Sequence, residues 1–452
     1  MKTTIKQKSG VLAVLLAVFV VFTIHAQQVV ELSLEESLRY ALENNVDAKN
    51  AQLETLIAKA TIKERRSEGL PQINGSVDLT YNAAIPVVFV PNEGPFADPS
   101  VELDVLPLRF GVPLSSAVAV QANQMIFDGS YFVGLQAAKT YKMLTEYDRL
   151  KTEVDVKEAV KKAYFSVLVN EQRRQLIDAN LERIEMLLGE TEALYEAGFV
   201  EKLDVSRVKV QRNNLKTELD KVIAATMISV ELFKLQIGLP SNQEVYLTET
   251  LEDLNDRLEV EDLLIMDGSR RVEIDQLNTN LDLVKLDLKN NLVQYIPRLS
   301  AFATYQRNAA SERLGDIMDA NRWFTGAFIG GSLSIPIFDG LAKSARIQQN
   351  RVQIKQLENQ SFFLDQSIEV EKFQAKANLK NSISALVVQQ ENMDLALEVF
   401  EMTKIKYQEG VGSNLEVVEA DSALKEAETN YFSALYDALI AKVELEKALG
   451  IL

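Results

Sequence analysis

Ile126-Phe127-Asp128-Gly129 returns as Ile337-Phe338-Asp339-Gly340, 211 residues further on. Tyr195-Glu196-Ala197-Gly198 returns as Tyr407-Gln408-Glu409-Gly410, 212 residues further on. Gly238-Leu239 returns as Gly450-Ile451 with the same 212-residue offset. Three landmarks that keep one offset mark a duplicated architecture. Each copy reads outward from its Asp-Gly in the same way. An alternating, strand-like segment lies before it, and two very long helices with a Tyr-x-x-Gly break lie after it.

In the first copy, Leu32 to about Arg66 reads as helix, with Ser33 as cap, Glu36 completing a capping box and Asn44-Asn45 as a break. Gly69 and Pro71 stop it. Ile73, Gly75, Val77, Leu79 and Tyr81 then alternate with Asn74, Ser76, Asp78 and Thr80, the period of a strand with one apolar face. Pro86, Pro91, Pro95, Pro99, Pro107 and Pro113 predict a loop, with Asn92-Glu93-Gly94 at its tip, before a second strand ending at Phe127. From Ser130 to about Glu196 there is no proline, and Gly134 and Gly189 are the only glycines. Such a helix is roughly 100 Å long at about 1.5 Å per residue, beyond what a globular domain encloses. Ile177, Leu181, Ile184, Leu188, Thr191 and Tyr195 follow the four-three spacing of a coiled-coil seam, and Ala396, Phe400, Thr403 and Tyr407 echo it.

The expected organisation is a signal peptide at 1–26 and a first repeat at 27–240. That repeat holds strands at about 71–90 and 112–127 and long helices at about 130–196 and 200–237. An acidic linker with a short helix follows at 241–269. The second repeat, 270–452, holds strands at about 298–306 and 323–336 and long helices at about 340–408 and 414–448. Lys2, Lys6 and Lys8 precede an apolar run from Val11 to Ile24, too short for a spanning helix, and Ala26 marks the expected cut. The fold class is therefore mainly α with membrane β, built from a duplicated strand-strand-long-helix-hairpin unit. Four strands per chain cannot close a membrane barrel, and an open sheet edge is excluded from lipid, so several chains must combine. Three chains supply twelve strands.

Cysteine is absent, and His25, the only histidine, lies in the expected signal peptide. The mature chain then offers no zinc or copper ligands of the usual kind and no His- or Cys-based nucleophile pair. No phosphate-cradling Gly-Lys motif is present either, so no enzyme activity and no cofactor are expected. A formal net charge of −17 argues against nucleic acid. A non-channel periplasmic coiled-coil scaffold accounts for the helices but not for the alternating strands that follow Pro71 and Pro297.

The duplication, the Leu70-Pro71 and Ile296-Pro297 junctions, the two Ile-Phe-Asp-Gly returns and the two Tyr-x-x-Gly turns together resemble the outer-membrane efflux proteins, the TolC-like channels of Gram-negative bacteria. The resemblance covers about residues 30–452. It implies a homotrimer in outer-membrane lipid, with a 12-stranded β-barrel continuous with a periplasmic α-helical barrel. It implies an exit duct that passively conducts small toxic compounds or drugs. A periplasmic adaptor protein would feed it from an inner-membrane pump of resistance-nodulation-division type or an ABC transporter. Type I protein or peptide secretion is the alternative cargo.

On this resemblance Glu416 and Glu419, just past the second Tyr-x-x-Gly turn, are the expected pore gate. They share a helix face, and three chains would ring the entrance with carboxylates that attract cations. Asp204 and Arg207 at the matching place in the first copy are the candidate gate latch. Tyr195, Gly198, Tyr407, Gly410 and Gly412 are the candidate adaptor-contact turns. Pro71, Asp128, Gly129, Pro297, Asp339 and Gly340 are the barrel-to-helix junctions, and Trp323 and Phe324 the candidate membrane-interface pair.

Overall fold

The computed structural model describes residues 30–93, 95, 99–100, 104–251 and 260–452. The expected signal peptide, the loop tip at Gly94 and part of the acidic linker lie outside the described residues. In chain order the elements are β1 (Val30–Leu32), α1 (Leu34–Asn44), α2 (Val46–Ser67), β2 (Gln72–Tyr81), β3 (Val87–Pro91), β4 (Val105–Arg109), β5 (Leu114–Phe127), α3 (Gly129–Glu196) and α4 (Lys202–Ile237). They continue with β6 (Val245–Leu247), α5 (Glu261–Ile265), α6 (Val272–Val293), β7 (Arg298–Ser311), α7 (Leu314–Ile317), β8 (Phe324–Ser334), α8 (Ala342–Gln408) and α9 (Asn414–Ala448).

The described residues fall into two compact units. One contains Glu54–Glu146 and Gln276–Ser361 and holds an antiparallel sheet of order β2-β5-β7-β8. Its registers carry one largely apolar face across all four strands, interrupted by Arg307 in the row of Val77, Val118 and Thr325. Ile73 sits opposite Ala122, which faces Ala303, which faces Ile329; Gly75 leads in the same way through Val120 and Tyr305 to Ala327. Directly opposed residues in an antiparallel pair point to the same side, so this face is a property of the sheet and not of one strand. The other face runs Asn74, Gln121, Thr304, Phe328 and Ser76, Ala119, Gln306, Gly326. Every residue of β2 is exposed, and β2 and β8 end the sheet without a further strand among the described residues. Gly330 lies opposite Phe302, whose ring atoms would stand 2.6 Å from an added Cβ, so the glycine makes room for the aromatic.

The segment expected as one strand at 71–90 is instead two. β2 stops at Tyr81, and β3 pairs with β4 in a separate hairpin. The expected proline loop therefore carries its own strands. Proline is compatible with such a two-stranded ribbon because each strand has an unpaired side. β7 extends to Ser311, beyond the expected 306, because β5 continues opposite it to Leu114.

The duplicated Asp-Gly has a physical role as a cap. In the first copy Asp128 Oδ1 accepts from Ser130 N at 2.8 Å and opens α3. In the second copy Asp339 Oδ2 accepts from Lys343 N at 3.0 Å. There α8 begins at Ala342, not at 340, because Gly340 and Leu341 both take positive φ, 66° and 71°. The two returns also differ upstream. Ile126 and Phe127 lie within β5, whereas Ile337 and Phe338 follow the end of β8, where Pro336 has no N–H for a ladder.

The second unit holds the described residues up to Leu53 with Tyr147–Asp275 and Phe362–Leu452. Ser33 Oγ accepts from Glu36 N and Glu36 Oε2 from Ser33 N, the expected capping box, and Asn45 separates α1 from α2. The stretch expected to be an acidic linker with a short helix also contains a strand, β6, which pairs in parallel with β1. Glu249 Oε2 accepts from Leu34 N at 2.8 Å and from Tyr164 Oη at 3.1 Å, tying this stretch to α1 and α3. One apolar core gathers Val160, Tyr164 and Leu168 of α3, Phe233 and Ile237 of α4, and Leu435, Leu439 and Val443 of α9. A second core lies nearer the hairpin turns. It joins Ile184 and Leu188 of α3, Val205, Val208 and Leu215 of α4, Phe400 and Tyr407 of α8, and Val417, Ala420 and Leu424 of α9.

Candidate functional site

The candidate site is the pair of hairpin turns, with the helix ends behind them. Gly198 and Gly410 reverse the chain at φ 79° and 74°, a conformation that costs glycine nothing and other residues roughly 1–2 kcal/mol. Both turns close alike, with Phe199 N donating to Leu194 O and Val411 N to Lys406 O. Each turn thereby presents one apolar side chain outward; Phe199 and Val411 are both 79% exposed.

The two tyrosines of the motif part company. Tyr195 is exposed, although it continues the expected seam of α3, whereas Tyr407 is packed inside the second core. Tyr407 is therefore a spacer within the bundle, not a surface contact of this chain. Gly412 is also not a free surface position. Its N–H donates to Lys406 O at 3.0 Å, and an added Cβ would stand 3.0 Å from Tyr407 N. A side chain there distorts the turn, which makes Phe199 and Val411 the better probes.

Behind the second turn, Ser413 caps α9 by accepting from Glu416 N at 3.3 Å. Glu416 and Glu419 both stand exposed on the first two turns of α9, and neither forms an ion pair with a described residue. Two acids at the positive end of a helix dipole are favourable for the helix and remain available to a partner or an ion. Behind the first turn the matching pair is differently engaged. Asp204 Oδ2 accepts from Glu201 N at 3.2 Å, so it caps α4, and Oδ1 pairs with Arg207 at 3.4 Å on the same helix. Within one chain this pair holds α4 to itself and latches nothing. Lys209 of α4 pairs instead with Glu192 of α3, at 2.7 Å.

The structure brings together a second set of polar groups that the motif reading missed. Asp421 and Glu428 of α9 are 3% and 6% exposed. Asp421 Oδ2 accepts from Gln211 Nε2 of α4 at 3.0 Å, and Glu428 Oε2 from Asn180 Nδ2 of α3 at 2.7 Å. Arg183 of α3 donates to Asn180 Oδ1, and its guanidinium carbon lies 4.7 Å from the centre of the Phe400 ring. Desolvation pushes both carboxyls above their ordinary range, more than the amide bonds and nearby cations pull them down. The sequence does carry a signal for them. Val417, Asp421, Leu424 and Glu428 follow four-three-four spacing, which places two acids on an apolar seam.

In the unit that carries the sheet, Trp323 is half-buried; its indole N–H donates to Ile317 O at 2.9 Å, so it fastens the turn before β8. Phe324 is exposed but stands opposite Asn308, on the face that also bears Asn74 and Thr304. The side-chain period of two puts it on the opposite side from Ile73 and Ile329, the alternation expected for this strand. Of the junction residues, Pro71 lies immediately before β2 and Pro297 immediately before β7. Arg298 reaches Asp128 at 3.8 Å, and a side chain on Gly129 would stand 3.0 Å from Val293 Cβ, so the junctions of the two copies meet.

Comparison with known proteins gives this geometry a context. The family profile described as "Outer membrane efflux protein" matches residues 38–226 and 273–451, one block for each copy. The chain is similar to the pyoverdine export outer membrane protein OpmQ of Pseudomonas aeruginosa, at 25% identity over 320 residues. That match covers 68% of this chain and 63% of the relative, less than two thirds of its length. It is also similar to the outer membrane protein TolC of Vibrio cholerae, 20% identical over 441 residues, covering 93% of this chain and 91% of the relative. Among solved structures, the Campylobacter jejuni CmeC outer membrane channel shares its fold with a TM-score of 0.69 at 16% identity, over 92% of this chain and 85% of that one.

Proposed function

Because the chain belongs to the outer membrane efflux protein family, and is therefore an outer-membrane exit duct and not an enzyme, we propose that three copies close one conduit that carries small toxic compounds out of the cell. The observation that carries this reading is the open four-stranded sheet. Its largely apolar face runs through all three registers, and its two edges, β2 and β8, have no further strand among the described residues. Such a sheet is tolerated in lipid only when its edges meet. Twelve strands from three copies satisfy every edge, with Ile73, Val77, Leu79 and Ile329 toward the acyl chains and the face of Asn74 and Thr304 toward water. The homotrimer is the assembly of this family, and its helical part lies in the periplasm.

The turns at Gly198 and Gly410 form the docking end for a periplasmic adaptor, which connects the duct to an inner-membrane pump of resistance-nodulation-division type. Phe199 and Val411 supply the apolar contacts. Glu416 and Glu419 form the entrance ring, where up to six carboxylates from three chains attract cations and slow anions. Small-molecule cargo is supported by the likeness to a protein named for pyoverdine export. No step of the work needs a reacting group. The duct conducts, and the energy is supplied at the inner membrane.

The test uses the natural absence of cysteine. Single cysteines at Phe199 and Val411 carry a photo-crosslinker in living cells, and the captured partners are identified by mass spectrometry. An adaptor together with a proton-driven pump is the expected capture. An adaptor with an ABC transporter moves the cargo toward peptides or proteins, and trimers that capture no adaptor reject the tripartite assignment.

A further inference from the structure

Near the turns the buried face of α9 is mostly apolar, and Asp421 and Glu428 are the two acids that enter it. On α9 the inward residues are Val417, Asp421, Leu424, Glu428, Phe432, Leu435 and Leu439, all buried. Leucine at 421 and 428 would complete an ordinary seam. A carboxylate offers about four acceptor sites, and each of these acids is met by a neutral side-chain amide, with no ion pair among the described residues. Burying a charge on such terms is unfavourable, whereas burying a neutral carboxylic acid with a hydrogen bond costs far less.

The surroundings are few and can be named from every side. α3 contributes Asn180 and Arg183, α4 contributes Gln211, α8 contributes the Phe400 ring, and α9 itself contributes Ser422 and Lys425. Arg183 attracts both acids from a distance, but its guanidinium is committed to Asn180 and the Phe400 face, and its Nε has no hydrogen-bond partner among the described residues. Asp421 and Glu428 also repel each other when both are charged. This is a seam that fits neutral acids better than ionised ones.

We infer that Asp421 and Glu428 form a proton-operated latch that holds α9 against the first hairpin when protonated and loosens it when ionised. The direction follows from linkage. Packing raises both acids above the values they would have in water, so the packed seam binds protons more tightly than the loosened one. Packing is therefore fully favoured below the ordinary carboxylate range and weakens as pH rises through the raised values. Each unit of rise multiplies the packed-to-loose ratio by about ten between the two limits. Asp421 lies two residues past Glu419, so loosening this seam frees the segment that carries Glu416 and Glu419. Acid outside the cell would then tighten the entrance against inward leakage. That consequence rests on the duct reading above; the latch itself does not.

Paired cysteines at Ser206 of α4 and Ala423 of α9, both exposed, report the seam through spin-label distances in purified trimers. Trimers assembled with an excess of unlabelled chain isolate the distance within a chain. The expected result is a single short distance at about pH 5 that gains a longer population by about pH 8, with the ratio changing several-fold. Asp421→Asn with Glu428→Gln imitates the neutral acids and should stay short across the range. A wild-type distance that ignores pH overturns the latch without needing the variant, and so does a variant that still opens. Bilayer currents recorded separately test the duct, so failure of one reading is distinguishable from failure of the other.

Discussion

Near residues 155–162 and 444–447 the first hairpin meets α9 through ion pairs, whereas near residues 180–211 and 421–428 the same helices meet through buried acids and neutral amides. In the first region Lys161 pairs with Glu446 at 2.5 Å, Lys162 with Glu158 and Glu444 at 2.9 and 3.0 Å, and Lys447 with Glu158 and Asp155 at 2.6 and 3.1 Å. Burial works against the charge on Asp155 and Glu158. Hydrogen bonds from Lys151 and Lys447 to Asp155, and from Lys447 and Lys162 to Glu158, more than offset it and hold both carboxyls below the ordinary range. In the second region burial wins, and Asp421 and Glu428 are pushed up. One bundle thus carries two joints with opposite responses to acid. The joint far from the turns is strongest near neutrality, and the joint near the turns is strongest in acid. The lesson is that the residue type does not set the response; the charge of what faces it does.

The largest effect that breaks this comparison is expected from Phe400→Ala. The ring is 1% exposed, fills the seam near the turns and underlies Arg183, so its loss should cost about 3–5 kcal/mol in chemical denaturation. A cost near zero would show that the turn-side seam contributes no packing. Next comes Lys447→Met, which leaves the partly exposed Asp155 and Glu158 short of one ammonium. A loss of about 1–2 kcal/mol is expected near neutral pH, between the values for exposed and buried pairs. Because the folded carboxyls are lowered, that contribution is present above their ordinary range and fades as pH falls through the lowered values. Melting curves of variant and wild type should therefore converge in acid; curves that stay parallel would remove the ion pairs from the account. The smallest effect belongs to Asp204→Ala, which removes a helix cap and a half-exposed pair and should cost about 0.5–1 kcal/mol. A much larger loss of assembly, seen as fewer trimers on an unheated gel, would restore Asp204 and Arg207 as a latch between chains.

Much of the fold can be read from the chain because its signals are local and doubled. The period of two from Ile73 to Tyr81, the Asp128 and Asp339 caps and the positive φ at Gly198 and Gly410 each depend on neighbours within a few residues. The β3–β4 hairpin was not legible, since its prolines read as loop and only the pairing of Val88 with Leu108 rescues it. Nor was the early part of the 241–269 stretch, where Val245–Leu247 becomes a strand only because β1 lies beside it. The site divides along the same line. The exposure of Glu416 and Glu419 follows from their place behind a cap. Tyr195 and Tyr407 share a motif and differ in burial, because Tyr407 belongs to the core behind the turns and Tyr195 does not. Asp421 and Glu428 carried a periodic signal, but their amide partners, 210 and 248 residues away in sequence, did not.

Single-channel recording from purified trimers in planar bilayers tests the central claim most directly, with wild type beside the Glu416→Ala, Glu419→Ala double variant. The account predicts cation-selective steps for the wild type, and larger steps with weaker block by divalent cations for the variant. Trimers that insert and carry no current would contradict the duct, and a variant with unchanged conductance and block would remove Glu416 and Glu419 from its entrance.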